Sequence, residues 1–466
     1  MKTQKSGVHI DPRRIALNET SRTSEHSPPA EQSCVETQSV SDLHTARDNP
    51  DSNRSSSAGL KSEAESNATS QRAELLVDRL VDAEILEQPR QDGAHVDFPN
   101  ESHVQTGRSR LDPISGSWTI FAPGRARRPD QFKSHRPKHD ASMDCPFCHG
   151  NEKLTPASVW SAKLSEDEEA VPQSADWTVR VVPNLFPAIK PECKVEVQPN
   201  HEDSENESRV SRLAQSLFVE EIASGGHEVI IEAARHTRSL SELNLAEIAL
   251  AFSAYAARMR HWRQQPGIQF ISLFKNVGRD AGASLQHSHS QLIASNHLPQ
   301  SVCEVNHRMR SHFARHGRCL QCDVLQAELE RKERIIHQSN SLVAYCPHAS
   351  RFPYLIRITS REHVGCFEDL SVSMNEEVAR LVLRSVRWLE AVIPGVAYNM
   401  MIHTAPPGNR RDAETHHWSL ELAPRIGRLA GYELSSGGMI NTVYPEAAAD
   451  EFRSQARRSD PRHALR

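Results

Sequence analysis

Two stretches of this chain carry the same landmarks in the same order, and that duplication restricts the fold more than any other feature. Cys145-x-x-Cys148 is answered by Cys319-x-x-Cys322. The apolar run Glu228–Ala233 leads to His236, as Tyr354–Ile358 leads to His363, and each histidine is followed seven residues later by a leucine, Leu243 or Leu370. A helix-like segment then ends at Pro266-Gly267 or Pro394-Gly395, and the apolar strands Ile268–Phe274 and Val396–Ile402 follow. Finally His287-Ser288-His289-Ser290-Gln291 is answered by His417-Trp418-Ser419-Leu420-Glu421. The histidine pairs are spaced alike, 51 residues from His236 to His287 and 54 from His363 to His417. Agreement at so many points identifies two copies of one unit.

Each unit reads as strands around one long helix, an α+β composition with antiparallel connections. In the first unit Asn244 and Glu247 form a capping box. The stripe Leu245, Ile248, Phe252, Tyr255, Met259 and Trp262 then recurs at helical spacing and predicts a buried face. The units are expected to span 106–300 and 301–455, with a tail at 456–466. Residues 1–105 are rich in Ser, Glu, Asp and Asn and poor in aromatic and β-branched runs, which predicts a disordered extension. One island in it, Ala73–Leu86, has leucines at roughly helical spacing.

A formal charge of -5 and a pI near 6.6 exclude a broadly basic nucleic-acid-binding surface. No stretch approaches 18 apolar residues, so no membrane span is expected, and no secretory signal is visible. Nine cysteines, four of them in Cys-x-x-Cys pairs, suit thiols in a reducing compartment, so a cytoplasmic protein is expected.

The chemistry concentrates in Asn276–Gln291, where a Gly-Ala-Ser loop (Gly282, Ala283, Ser284) runs into His-x-His-x-Gln. On a strand, His287, His289 and Gln291 share one face, beside a loop whose backbone N–H groups are expected to meet phosphate oxygens. An unprotonated imidazole against a phosphate is a nucleophile that needs no separate base. Each unit also supplies two cysteines and two histidines, a closed four-ligand set for structural zinc: Cys145, Cys148, His236 and His287, and Cys319, Cys322, His363 and His417. The copies differ at the reactive position. Ser419 stands where the first unit has His289, Glu421 replaces Gln291, and the second unit lacks the Gly-Ala-Ser loop. The first unit is therefore expected to be catalytic and the second a scaffold.

At these residues the chain resembles the galactose-1-phosphate uridylyltransferase family of the histidine-triad-like superfamily. The resemblance runs from about Arg108 to Arg453 and includes the arginine-rich run Gly124–Pro129 and the Asn184-Leu185-Phe186-Pro187 turn. It implies two tandem histidine-triad-like units and a homodimeric assembly, with His289 attacking the α-phosphorus of a nucleotide sugar and Gln291 binding the transferred group. It assigns Asn276, Gly282 and Ser284 to the diphosphate and Asn184 and Phe186 to the nucleotide. Arg125 and Arg128 match phosphate contacts that in this family reach across a dimer interface. The nucleotidyl-histidine is then discharged by a sugar 1-phosphate. Two departures are visible. The lysine of the family's Lys-Phe-x-x-Gly-Tyr-Glu run is Gly427 here. The second Cys-x-x-Cys set stands where well-known uridylyltransferases carry an iron site. Both features are similar to plant-type ADP-glucose phosphorylases, in which phosphate accepts an adenylyl group. Uridylyl transfer from UDP-glucose to a hexose 1-phosphate is the leading expectation. ADP-glucose phosphorolysis, hydrolysis of nucleotide conjugates and a catalytically silent zinc-stapled nucleotide-binding protein are the alternatives.

Overall fold

The computed structural model describes residues 108–121, 145–164, 176–191, 217, 222–408 and 410–459. The expected extension 1–105, its Ala73–Leu86 island, and Arg125 and Arg128 lie outside these residues.

Ten strands form one sheet: β3 (Trp160–Ala162), β4 (Val179–Pro183), β5 (Gly225–Ile231), β6 (Phe270–Val277), β7 (His289–Ser295), β8 (Ile335–Gln338), β9 (Leu342–Tyr345), β10 (Ile356–Ser360), β11 (Tyr398–His403) and β12 (Ser419–Pro424). Their order is β3-β4-β5-β7-β6-β11-β12-β10-β9-β8, with every neighbouring pair antiparallel. Read inward from either edge, the two halves have the same strand order. They meet where β6 pairs with its own counterpart β11, Leu273 opposite Ile402 and Asn276 opposite Asn399. A pseudo-twofold axis passes through this seam. The duplicated units thus share one continuous sheet.

One face of the sheet is covered by α1 (Leu245–Arg263) and α4 (Val372–Val392), the long helix of each half, which pack on each other within the main apolar core. The capping box starts α1: Asn244 N–H donates to Glu247 Oε2 at 2.9 Å, and Glu247 N–H to Asn244 Oδ1 at 2.8 Å. Of the predicted stripe, Ile248, Phe252, Tyr255 and Met259 are wholly buried, while Leu245 and Trp262 lie at its margin. Each such apolar side chain contributes about 1.5–3 kcal/mol by leaving water. The opposite face carries a smaller cluster of Phe147, Trp177, Val182, Val229 and Ile231.

The remaining described helices are α2 (Gln300–His316), α3 (Leu320–Arg331), α5 (Arg410–Thr415), α6 (Gly431–Ser436) and α7 (Pro445–Ser459). A second sheet joins β1 (Arg108–Leu111), β2 (Trp118–Phe121) and β13 (Met439–Asn441), with β13 parallel to β2. This sheet ties the start of the described chain to its end. Arg110 donates to His348 O at 3.0 Å and to Glu446, Asn441 donates to Ser350 O at 2.8 Å, and Phe121 stacks on Tyr444. β1 and β2, read in sequence with the first unit, are therefore held by residues of the second. Helix α7 runs past the expected boundary at 456 to Ser459, because Ala456 packs on the core and Trp388 Nε1 donates to Ser459 Oγ at 3.2 Å.

Among the described residues, no helix is long and apolar enough to cross a membrane.

Candidate active site and two candidate metal centres

Strand alternation sorts the His-x-His-x-Gln run onto two faces. Phe147 meets the rings of both His287 and His289 edge-on, at centroid distances of 6.0 and 5.2 Å, so the two histidines share a side. Ser288 and Ser290 point the other way, toward α1. His289 Nδ1 lies 2.7 Å from the carbonyl oxygen of His287. A carbonyl only accepts, so the proton of the neutral ring sits on Nδ1 and the lone pair on Nε2. Burial, and then the nearby Lys275 charge, hold His289 below its ordinary value and keep it unprotonated near neutral pH.

Beneath this strand lies a wholly buried polar network. Glu232 Oε2 accepts from Lys275 Nζ at 2.5 Å and Ser288 Oγ at 2.6 Å; Glu232 Oε1 accepts from Ser290 Oγ at 2.5 Å and from the Tyr255 hydroxyl. Lys275 Nζ also donates to Ser288 Oγ at 2.9 Å and to the His289 carbonyl at 3.1 Å, so all three of its hydrogens are used. Burial alone would raise the Glu232 carboxyl, but Lys275 and the hydroxyls more than offset it and keep the group ionised. The network fixes the backbone of His289, whose Nε2 carries the free lone pair. Sequence reading passed over Glu232 and Lys275. The signal was there: each is a charged residue directly after an apolar run, Val229-Ile230-Ile231 before Glu232 and Leu273-Phe274 before Lys275.

Around His289, register places Phe274 beside Gln291 and Lys275 beside Ser290; the next residues along are Asn276 and His289, on the same face. Asn399 crosses the central seam to this group, donating to Asn276 Oδ1 at 2.8 Å and to the Ala281 carbonyl at 2.9 Å. The loop between β6 and β7 turns through Gly278 (φ 83°) and Gly282 (φ 86°), backbone conformations that suit glycine. A Cβ at Gly278 would also meet Ala397 at 2.9 Å.

The loop corrects one expectation. The N–H groups of Ala281 and Ala283 donate to Gly278 O, and that of Gly282 to Arg279 O. These bonds close around the one-turn 3-10 segment Arg279–Ala281, so these three amides are not presented to a ligand. Asn276 lies beside this loop, and Ser284 in it is exposed. Asn184 turns on itself, its Oδ1 accepting from Phe186 N–H at 2.9 Å, and Phe186 is 84 % exposed. His227 links this turn to the strand: its Nε2 is 2.9 Å from Gln291 Oε1 and 3.1 Å from Asn184 Nδ2.

Both predicted four-residue sets converge. In each, all four ligand atoms lie within 4.8 Å of one another. Bonds of about 2.3 Å to sulfur and about 2.0 Å to nitrogen at tetrahedral angles put neighbouring S and N roughly 3.5 Å apart. Cys145 Sγ is 3.5 Å from His287 Nδ1, and Cys148 Sγ is 3.5 Å from His236 Nδ1 and 3.6 Å from His287 Nδ1. In the second set Cys322 Sγ is 3.4 Å from His363 Nδ1 and 3.3 Å from His417 Nδ1. Three of the four outer nitrogens are oriented as metal-ligating histidines require: His287 Nε2 faces Ala233 O at 2.9 Å, His363 Nε2 faces Ala413 O at 3.0 Å, and His417 Nε2 faces Ser360 Oγ at 2.8 Å. Burial and the adjacent Cys145 push the Cys148 thiol up to about 12, so two thiolates side by side call for a cation between them. Both sets therefore fit a metal ion.

Comparison with known proteins places this geometry. The profile described as Galactose-1-phosphate uridyl transferase, N-terminal domain, matches residues 96–299. ADP-glucose phosphorylase of Arabidopsis thaliana is 30% identical over 352 residues, 75% of this chain and 93% of the relative. The chain belongs to the galactose-1-phosphate uridyl transferase family. A second member, galactose-1-phosphate uridylyltransferase of Thermotoga maritima, is 24% identical over 351 residues, 74% of this chain and 97% of that one. The crystal structure of an ADP-glucose phosphorylase from Arabidopsis thaliana with bound ADP-glucose superposes with a TM-score of 0.60 at 28% identity, covering 75% of this chain and 98% of that one. Members of the family transfer nucleotidyl groups, and the chain is a nucleotidyltransferase of this kind.

Proposed function

We propose that this chain transfers the adenylyl group of ADP-glucose to inorganic phosphate through a nucleotidyl-histidine on His289. The observation that carries the chemistry is the hydrogen bond from His289 Nδ1 to the His287 carbonyl, which leaves Nε2 as a preset nucleophile. In the first step the Nε2–P bond forms as the bond from the α-phosphorus to the bridging oxygen breaks, and glucose 1-phosphate leaves with that oxygen. In the second step a phosphate oxygen attacks the same phosphorus, the N–P bond breaks, and ADP departs from a regenerated neutral imidazole. Gln291, Asn276 and Ser284 would supply donors to the phosphoryl oxygens. Asn184 and Phe186 would hold the nucleotide, and Arg125 and Arg128 would reach phosphates across a dimer interface.

Similarity to ADP-glucose phosphorylase in both sequence and structure supports the adenine donor. The missing lysine at Gly427 supports an acceptor other than a sugar phosphate. Zinc in each four-ligand set would be structural, because a closed set leaves no position for a reacting water. In this reading 106–300 is the catalytic unit and 301–455 the scaffold. The cysteines of the described residues are all free, which supports a cytoplasmic place of action. Uridylyl transfer from UDP-glucose to galactose 1-phosphate is the second reading, favoured by the 97% of the Thermotoga maritima enzyme that the chain covers.

Intact-mass spectrometry after incubation with ADP-glucose, or with UDP-glucose, and no acceptor separates the two. An adenylyl adduct that phosphate discharges as ADP is expected, and His289→Ala should form none. A uridylyl adduct alone would transfer the assignment to the uridylyltransferase; adducts that persist in His289→Ala would remove the nucleophile.

A further inference from the structure

We propose that His227 is a positioning residue that aims the Gln291 carboxamide, so that the site meets the transferred phosphoryl group with N–H donors alone. This rests on the nucleotidyl-histidine reading above. His227 stands on β5, two residues from Val229, which pairs with Gln291, and on the same face. Its Nδ1 lies 3.1 Å from the backbone N–H of Ala188. A backbone amide can only donate, so Nδ1 is an acceptor and the ring proton must be on Nε2. That proton faces Gln291 Oε1 at 2.9 Å.

The polarity then propagates. With Oε1 occupied as an acceptor, Gln291 turns its NH2 group away from His227. Asn184 Nδ2 also approaches His227 Nε2, at 3.1 Å, but that nitrogen has no lone pair to give. Asn184 cannot flip to relieve this, because its Oδ1 accepts from Phe186 N–H. One backbone N–H, acting through the imidazole, orients the Gln291 carboxamide, and a second, from Phe186, orients that of Asn184. A phosphoryl group offers only acceptors, and donors set in advance are worth most where charge develops.

A preset carboxamide should matter to the rate of phosphoryl transfer more than to capture of the nucleotide. The test is single-turnover formation of the His289 adduct from ADP-glucose, measured for the full chain. His227→Leu is expected to slow adduct formation by about 10²-fold while the concentration of ADP-glucose giving half the maximal rate stays unchanged. His227→Gln, which retains a donor, should recover part of the rate. The double variant His227→Leu/Gln291→Ala should be no slower than Gln291→Ala alone, because a positioning residue acts only through its target. Losses that multiply would overturn the proposal. Nitrogen-15 NMR of the histidines in the wild-type protein gives an answer that does not depend on turnover or on a variant folding. A proton on His227 Nε2 is expected, and one on Nδ1 would sink the idea. If the wild type forms no adduct, the functional reading fails, while the tautomer still decides the polarity of this chain of hydrogen bonds.

Discussion

A carboxylate with no water around it keeps its charge only when donors replace the lost hydration, and Glu232 meets that condition with two donors on each oxygen. Removing one partner leaves a buried charge uncompensated. Lys275→Met is therefore expected to destabilise the fold by about 3–5 kcal/mol, read from the midpoint of urea unfolding. Lys275→Met combined with Glu232→Leu should recover most of that loss, and a double variant as unstable as the single one would contradict this account. At this scale the sequence was legible where chemistry sets the residue type. His287, His289, Gln291 and both cysteine–histidine sets stood out by spacing alone. His227 and Asn399 did not, because each works through the orientation of another side chain, and orientation has no signature in a single sequence. The Gly-Ala-Ser loop was legible as a tight turn, but its internal hydrogen bonds, which remove three amides from use, depend on a 3-10 geometry that spacing does not specify.

Strand by strand, the halves reuse one framework for opposite ends. Glu421, on β12 at the position of Gln291, has Arg357 Nη2 at 2.6 Å and Nε at 3.1 Å, with Arg351 at 3.3 Å. An ion pair fills the place where the first half presents a carboxamide. Burial by itself would raise the Glu421 carboxyl; Arg357, helped by His403 and Arg351, outweighs it and holds the group well below the ordinary carboxylate range. A lowered native value contributes stability above the unfolded value of about 4.3 and loses it as pH falls toward the native one. Thermal unfolding should show the gap between wild type and Glu421→Gln shrinking below about pH 4; a gap constant with pH would contradict the assignment. β11 contributes differently, through Asn399. Asn399→Leu frees Asn276 Oδ1 and the Ala281 carbonyl, and is expected to slow adduct formation on His289 by about tenfold or more with little change in unfolding midpoint. An unchanged rate would show that the loop holds itself. The repeat made these strands recognisable from sequence. Their pairing with each other was not recognisable, because two apolar strands carry no mark of their partner.

Taken whole, the molecule has tethers at several places where distant parts of the chain meet. The first metal set joins the segment before β3 to the turn after β5 and the start of β7, and the second joins α3 to the segments after β10 and before β12. Chelation should lower the thermal midpoint in two steps or one broad step, because metal binding to such sets is folding free energy. Cys145→Ser should lower metal content by one equivalent and leave the second set loaded. Full metal content in that variant would remove the first site. The fold class was readable because duplication multiplies every signal. The clasp of β1 and β2 against β13 was not, because a short parallel pairing between the two ends of the described chain leaves no pattern in either one.

The seam between β6 and β11 also bears on ancestry. An edge that pairs with its own image is what two identical halves need in order to associate. A lone half folded like the first one here, meeting a second copy through the same antiparallel ladder, would make a twofold dimer with a reactive histidine in each subunit. Fusing the copies makes that contact permanent at any concentration. The two halves of such a fusion need not stay alike, and here a serine stands at 419 where the first half has His289.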